Sequence, residues 1–406
     1  MCRLLQVAIC ATVLAWAPTR AGSAQSDYDV VVDAGTIKGR IGNLLGVTCG
    51  PLSPSKGWFD LTPEYRWLRV PSVRIHDCSE IGDIHRVFPN ISADPTKASN
   101  YDFKEVDRFV SGIVDGGMTA LYRLGYSWAA GPKAPQDFDQ FAEICRHIVL
   151  HFTQGWAGGF QYGNRIEWEV WNEANLSQSW NQSSQKFLVF YEKVARAIRR
   201  ADPTATVGTC ALAVNWPGDY QEGLIAHCAK NQLPLDFFSW HYYGWGHEQA
   251  EPYDFARQGA WVRSVLDQYG LHDTANYLTE WNVWQPGSDP RLRDLAGAAF
   301  CLSGLMFMHD GAIDMAHHYR GDVCDSLCAG LFLISPLQNV PIARAHAFHT
   351  YGQLQDTPLR LDVLSGPDRA GFAVLAGVSQ DGKHHQVLIS DFWSEAPDRK
   401  LRFVNL

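Results

Sequence analysis

Two hydrophobic periods alternate along most of this chain. Short apolar runs, the pattern of strands buried on both faces, lie at Gly46–Cys49, Ser72–Asp77, Thr119–Gly125, Ile166–Glu173, Thr204–Leu212, Asp236–Tyr243, Asn276–Asn282 and Asp314–Tyr319. Between them the spacing turns helical. Phe103, Val106, Phe109, Val110, Ile113 and Val114 fall on one face, as do Phe138, Phe141, Ile144, Cys145, Ile148 and Phe152. Phe187, Leu188, Tyr191, Val194 and Ile198 repeat the pattern until Asp202-Pro203 stops it, and Asp254–Gly270 and Asp294–Asp310 read as two more helices. Strand-then-helix repetition on this scale predicts an α/β fold, a (β/α)8 TIM barrel over residues 37–340. An open doubly wound sheet has the same rhythm, but no GxGxxG or phosphate loop follows any of the strands.

The two ends depart from this rhythm. Tyr28-Asp29-Val30-Val31-Val32-Asp33 reads as a lone strand within residues 25–36. In 341–406, Leu359–Leu364, Ala370–Val378 and His385–Phe392 read as short strands separated by Gly, Asp and Ser turns. They predict a small accessory β-sandwich built from the C-terminal segment and the N-terminal strand. Residues 1–24 differ again: Arg3, the apolar stretch Val7–Ala17 and the small residues Ala21 to Ala24 form the pattern of a cleavable signal peptide. It predicts a secreted or periplasmic protein. No later segment is long and apolar enough to predict membrane insertion.

Charge narrows the partners. Lys and Arg total 34 against 43 Asp and Glu, for a net charge of −9, and no basic run stands out. Nucleic acid, which needs concentrated positive charge, is excluded as an expected partner. Nothing in the pattern sets an oligomeric state. Of the 10 cysteines, Cys324 and Cys328 lie close together in a Gly- and Asp-containing loop and are the expected disulfide partners. A structural zinc would need a second Cys/His cluster at ligand spacing, and none is present. GxSxG and HExxH are absent, so neither a metal nor a cofactor is implied.

In a barrel of parallel strands, chemistry gathers where the strands end. The fourth expected strand ends Trp168-Glu169-Val170-Trp171-Asn172-Glu173-Ala174-Asn175, and the seventh ends Tyr277-Leu278-Thr279-Glu280-Trp281-Asn282. Each places a glutamate among aromatic and amide side chains at the barrel mouth. Hydrolysis of a glycosidic bond needs such a pair, one carboxyl protonated for the leaving oxygen and one ionised. Trp168 and Trp171, with the negative field of Glu280, would keep the proton on Glu173.

These motifs resemble those of the clan A glycoside hydrolases. Trp171-Asn172-Glu173-Ala174-Asn175 is similar to their acid/base signature and Thr279-Glu280-Trp281-Asn282 to their nucleophile strand. Val73-Arg74-Ile75-His76-Asp77 and Trp240-His241-Tyr242-Tyr243 resemble their second and sixth strand ends. Within the clan the chain resembles glycoside hydrolase family 39, the β-xylosidase and α-L-iduronidase family. The resemblance implies a carbohydrate substrate and retaining double displacement, with Glu173 as acid and then base and Glu280 as nucleophile. It implies that Asn172 bonds the sugar 2-hydroxyl and that Arg74 and Tyr243 hold Glu280 ionised. It implies that His76 and His241 bond sugar hydroxyls or the carboxylates. Exo-action on a β-linked oligosaccharide or glycoconjugate is the expected outcome; endo-action on a polysaccharide, or non-catalytic carbohydrate binding, are the alternatives.

Several residues carry a second reading. Arg74 could be a structural ion pair inside the barrel, and Tyr242 and Tyr243 compete for one role. Trp171, Trp281 and Tyr122 are candidate contacts for a sugar ring, as are Trp58, Trp128 and Trp284, though core packing competes at each. One departure stands out: many clan A enzymes end the eighth strand with a tryptophan platform, and this chain has His317-His318-Tyr319 there.

Overall fold

The computed structural model describes residues 28–53, 59–128, 134–213, 218–243, 251–282, 295–323, 330–334, 338–393 and 404–405. The expected signal peptide, the Cys324/Cys328 pair, Trp58 and Trp284 lie outside them. The first long strand is β1 (Val31–Arg40). Eight parallel strands then follow: β2 (Gly46–Thr48), β3 (Ser72–Ile75), β4 (Thr119–Leu124), β5 (Ile166–Val170), β6 (Thr206–Gly208), β7 (Phe237–Tyr242), β8 (Ala275–Trp281) and β9 (Met315–His318). Each pairs with its neighbour in the chain, and β9 closes on β2 through His317↔Gly46 and His318↔Val47. The result is the closed barrel that the alternating pattern predicts.

The outer ring contains α1 (Thr62–Leu68), α2 (Lys104–Asp115), α3 (Phe138–Gln154), α4 (Ser184–Ala201), α5 (Asp219–Asn231), α6 (Asp254–Gln268), α7 (Leu295–Phe307) and α8 (Ala343–Gly352). Their ends obey local rules. The Asp137 side chain accepts from the backbone N–H groups of Asp139 and Gln140 at the start of α3, and Ser183 caps α4 through Lys186 N–H. Gly155 stops α3 in the left-handed region, at φ 73°. At Gly208 the close approach of neighbouring strands is decisive, because a Cβ there would sit 1.9 Å from the Phe237 ring.

Alternation along each barrel strand sorts the side chains into two layers. Arg74, Arg123, Glu169, His241 and Glu280 point into the lumen, where Arg74 bonds Glu169 and Glu280, His241 reaches Glu280, and Arg123 bonds His76. The residues beside them point outward into the helix ring: Tyr122, Trp168, Trp240, Tyr242 and Trp281 are all buried there. Tyr122 packs on Phe152 and Trp168, Tyr242 bonds Asp254, and Trp281 lies between Phe255 and Phe348.

After α8 come β10 (Leu359–Ser365), β11 (Phe372–Val378) and β12 (His385–Asp391). With β1 they form one antiparallel sheet in the order β12-β11-β10-β1. Among the described residues a second, two-stranded parallel sheet pairs Tyr28–Asp29 with Val404–Asn405, and the four-stranded sheet is the one that lies on the barrel. Its inner face is covered by a barrel helix: Ser303 of α7 donates to Gly371 O and bonds Ser390, and Phe300 meets Phe392 edge-on. The N-terminal strand runs later than the pattern predicts, to Arg40, because Leu359 and Arg360 of β10 pair with Arg40 and Gly39. Finally, α8 occupies a stretch expected to be all β. Its Ala- and His-rich sequence carries no strong apolar stripe, yet Ala345, Phe348 and Tyr351 are buried, with Phe348 stacked on Trp281, and buried Arg344 donates to Asn282. Among the described residues no helix is long and apolar enough to cross a membrane.

Candidate active site

The C-terminal ends of β3, β5, β7 and β8 converge on one charged cluster. Its centre is Arg74, fully buried on β3. The guanidinium donates to Glu169 from Nε, to Glu280 from Nη1 and to Asn172 Oδ1 from Nη2, each at 2.7 Å. A buried cation beside two carboxylates is held charged well above its ordinary range, since their field outweighs the cost of burial. Both readings of Arg74 therefore hold at once: it is an internal ion pair, and that pair includes Glu280.

Asn172 sits between two residues of unusual backbone. Trp171 and Glu173 adopt positive φ, 75° and 48°, a region that costs free energy for side chains of this size. The turn lifts Glu173 off the strand, while its backbone N–H donates to Cys210 O at 2.7 Å. With its oxygen on Arg74, the Asn172 amide has a fixed orientation, its NH2 end turned away from the cation. The Trp171 ring is carried outward, into a cluster with Phe141, Trp180 and Phe190.

The two glutamates meet through His241. Its Nδ1 lies 2.9 Å from Glu173 Oε1 and 3.4 Å from Glu280 Oε2. One ligand-type atom from each of Glu173, His241 and Glu280 lies within 4.8 Å of the others. The carboxylates differ in their other partners. Glu280 receives Arg74 on Oε1 and the Tyr243 hydroxyl on Oε2, both at 2.7 Å. Burial raises its pKa, and His241 and Arg74 act in the opposite direction. Glu173 has no such clamp, and burial pushes it up to about 7, the more distant Arg74 only partly offsetting this. His241 is driven down to about 4 by burial, so it is neutral at pH 7. Glu173, His241 and Glu280 have the donor spacing of a metal site. The Glu280 oxygens, however, already serve Arg74 and Tyr243, whose positive charge and O–H group compete with a bound cation.

His76 completes the floor. Arg123 Nε, which can only donate, lies 3.0 Å from His76 Nδ1. The neutral ring must therefore carry its proton on Nε2, which faces Glu280 Oε1 and Asp77 Oδ2, each at 3.6 Å. Burial lowers the pKa of His76 well below the ordinary range, and Arg74 and Arg123 add to this. Arg123 is itself fixed by buried Asp83 and by Ser127.

The structure thus brings together Glu173, Glu280, Asn172, Arg74, His76, His241 and Tyr243. Tyr243 is the inward member of its pair, and Tyr242 turns to Asp254. Three expectations are corrected. Trp281, Trp171 and Tyr122 are at most 1% exposed and pack in the helix layer, so none offers a face to a sugar. The period-two rule is the reason for Trp281 and Tyr122, since each is next to a residue that points inward; the turn after β5 is the reason for Trp171. Sequence reading missed Glu169 as an Arg74 partner, Asp77 beside His76, and Tyr319, whose hydroxyl donates to Asp77 at 3.2 Å. Alternation from Glu173 back along β5 could have found Glu169. A further contact pairs residues far apart in sequence: Cys49 and Cys78 are buried, with Sγ atoms 2.9 Å apart below the loop that carries Asp77.

Comparison with known proteins bears on the family and the fold. The chain is 23% identical over 313 residues to a β-xylosidase of Geobacillus stearothermophilus, an alignment covering 68% of this chain and 61% of that protein. The chain therefore spans about three-fifths of that curated relative. A glucosidase structure from Croceicoccus marinus superposes with a TM-score of 0.77 at 29% identity, covering 91% of this chain and 79% of that one. A β-xylosidase structure from Caulobacter crescentus, at 18% identity, shares the fold with a TM-score of 0.68, over 92% of this chain and 79% of that one. The model for glycosyl hydrolases family 39 matches residues 69–315, which run from just before β3 through the first residue of β9 and include every residue of the cluster, and the chain belongs to that family.

Proposed function

We propose that this chain is a retaining glycoside hydrolase that removes terminal sugars from β-linked oligosaccharides or glycoconjugates, in the manner of a β-xylosidase. The observation that carries the reading is the unequal treatment of two neighbouring glutamates. Glu280 is clamped by a guanidinium and a phenol, and Glu173 is left to burial. A Glu173 that keeps its proton up to about pH 7, beside a Glu280 that loses its own first, follows from that asymmetry. Carboxyl atoms within 4.8 Å support retention, because retaining enzymes hold the two groups about 5–5.5 Å apart and inverting enzymes about 6.5–9.5 Å apart.

In the first step Glu280 attacks the anomeric carbon as the glycosidic C–O bond breaks, and Glu173 gives its proton to the departing oxygen. In the second, Glu173 takes a proton from water, whose oxygen displaces Glu280 from the anomeric carbon. Tyr243 and Arg74 bind the Glu280 carboxylate before attack and after release, so its charge is stabilised without reorganisation. Asn172 presents its NH2 group to the sugar 2-hydroxyl, and neutral His241 holds the two carboxylates in register. The similar proteins named β-xylosidase and glucosidase support a pentose or hexose glycoside as substrate. We take residues 37–340 as the catalytic unit and the N-terminal segment as an export signal.

The test is a panel of 4-nitrophenyl glycosides, followed by proton NMR of the first sugar released. The reading expects turnover of a β-xyloside or β-glucoside with the anomeric configuration kept. Initial release of the inverted anomer would sink it.

A further inference from the structure

A cleft of about 390 Å³ opens beside the catalytic carboxylates, between the ends of β3, β4 and β9. Its walls include Asp77, Glu80, Ser127, Trp128, Tyr319 and Arg320. It adjoins the cluster already described: Asp77 Oδ2 lies 3.6 Å from His76 Nε2, and the Tyr319 and Tyr243 rings are 6.3 Å apart. The size suits a sugar ring.

Asp77 is built into this cleft. It holds a left-handed backbone, at φ 51°. Its Oδ1 accepts the Trp128 backbone N–H at 2.9 Å, and its Oδ2 accepts the Tyr319 hydroxyl at 3.2 Å. Each oxygen has a second lone pair, and the side chain keeps partial exposure to the cleft. Trp128, half exposed, adds an apolar ring of the kind that stacks on a pyranose.

The charges decide which sugar fits. Among the described residues that line the cleft Arg320 is the one cation, and it is committed: Nε and Nη2 bond the two oxygens of Asp322 at 2.6 and 2.8 Å, and Nη1 donates to the Asp77 carbonyl. Asp77 and Glu80 add negative charge, with Glu280 close behind. A carboxylate-bearing sugar would meet repulsion there, whereas hydroxyls would meet acceptors. Direction follows from the proton donor. Glu173 must face the leaving oxygen, and Asp77 is reached from Glu280 through His76, on the edge of Glu280 that does not face His241. The non-leaving sugar therefore occupies the cleft.

We infer that Asp77 and Trp128 form the specificity site for the terminal sugar, with Asp77 accepting hydroxyls remote from the anomeric carbon of an uncharged pyranose and excluding uronic acids. This rests on the hydrolase reading above. Two measurements test it, on native enzyme and on Asp77→Asn and Trp128→Ala, with circular dichroism to verify folding. The first is kcat/KM on 4-nitrophenyl β-D-xyloside, β-D-glucoside and β-D-glucuronide. The second is saturation-transfer NMR of free xylose, glucose and glucuronate.

Native enzyme should favour a neutral glycoside over the glucuronide by about 100-fold or more. In Asp77→Asn, kcat/KM on the neutral substrate should fall about 10- to 100-fold, and the neutral-to-glucuronide ratio should shrink at least about tenfold. Trp128→Ala should raise KM several-fold with little change in kcat. The NMR signal should appear for xylose or glucose and not for glucuronate, and fade in Asp77→Asn. Turnover in Asp77→Asn within about twofold of native, or equal saturation of glucuronate, overturns the inference while leaving the hydrolase reading intact. Selective saturation of a neutral sugar without turnover of any glycoside does the reverse.

Discussion

The ends of β5 and β8 present the same functional group in two electrostatic settings. At β8, Glu280 is gripped from both sides, by a cation that cannot lose its proton and by a phenol that burial keeps protonated. At β5, Glu173 rides on a left-handed turn and meets only a neutral histidine. Burial raises both pKa values, and the offset is fuller at Glu280 than at Glu173, where Arg74 is more distant. Glutamate identity thus assigns no role; the partners on β3 and after β7 do. Sequence distance is irrelevant to this, since Arg74 and Tyr243 lie far from Glu280 in the chain and within hydrogen-bond reach of it in space.

That contrast can be broken most forcefully at the gripped residue. Glu280→Ala should lower kcat by about 10⁴-fold or more on every glycoside, because no group is left to form the covalent bond. Azide should restore part of the rate, trapping a glycosyl azide visible by mass spectrometry; near-native turnover would remove Glu280 from the nucleophile role. Breaking the other side should be selective. Glu173→Ala is expected to cost about 10²- to 10⁴-fold on alkyl or sugar leaving groups and far less on 2,4-dinitrophenyl glycosides, which need no proton. Equal losses on both substrates would argue against an acid at this position.

Loosening the grip should have a smaller effect. Tyr243→Phe removes a hydrogen bond to a charged group, worth about 1.5–3 kcal/mol, so kcat/KM should drop about 10- to 100-fold with KM for activated substrates little changed. A thermal melt of the same variant would separate this from unfolding.

The weakest effect is on stability, and its sign follows from the shifted acid. Folding raises the Glu173 pKa from about 4.5 in the free chain to about 7. The folded state therefore holds a proton that the unfolded state has already lost between those limits, and the stabilisation present below about pH 4.5 fades as pH rises through 7. Glu173→Gln cannot lose that proton. It should be more stable than the native chain at pH 8, by about 1–3 kcal/mol, and differ less at pH 5. Glu167, also raised to about 7 beside Tyr277, leaves part of the slope in place. Parallel stability curves for the two proteins would contradict the assignment of a raised acid to Glu173.

Much of the barrel was legible because each barrel strand is a short run buried on both faces, set between stretches of helical spacing. The two carboxylates were legible because they end such runs. Hidden from the pattern were the connections that give them roles. Alternation marks Glu169 as inward-facing, but nothing in the string pairs it with Arg74 or marks Asp77 as held by Trp128 and Tyr319, because those contacts join the ends of different strands. The aromatic candidates failed for the converse reason. Trp171 and Trp281 neighbour functional residues in sequence, and in space they pack outward, away from the mouth. Helix α8 went unread because its few buried apolar side chains, Ala345, Phe348 and Tyr351 among them, lie between His, Thr and Arg, too sparse a pattern to mark a helix. The strands of the accessory unit were legible, but what covers them was not, because short alternating strands look alike whether a second sheet or a helix lies on them.

Helix α7 has a consequence for how this molecule can be divided. Its sequence, Leu295–Phe307, contains no charged residue, and it lies between the barrel and the accessory sheet. A helix apolar on every side has no face suited to water. The sheet is thus the outer skin of the barrel wall, and not a passenger that evolution or a protein engineer could detach. A chain cut before Leu359 should expose that bare helix, bind a fluorescent hydrophobic dye and self-associate; a well-behaved monomer of that length would show that the wall closes without its skin.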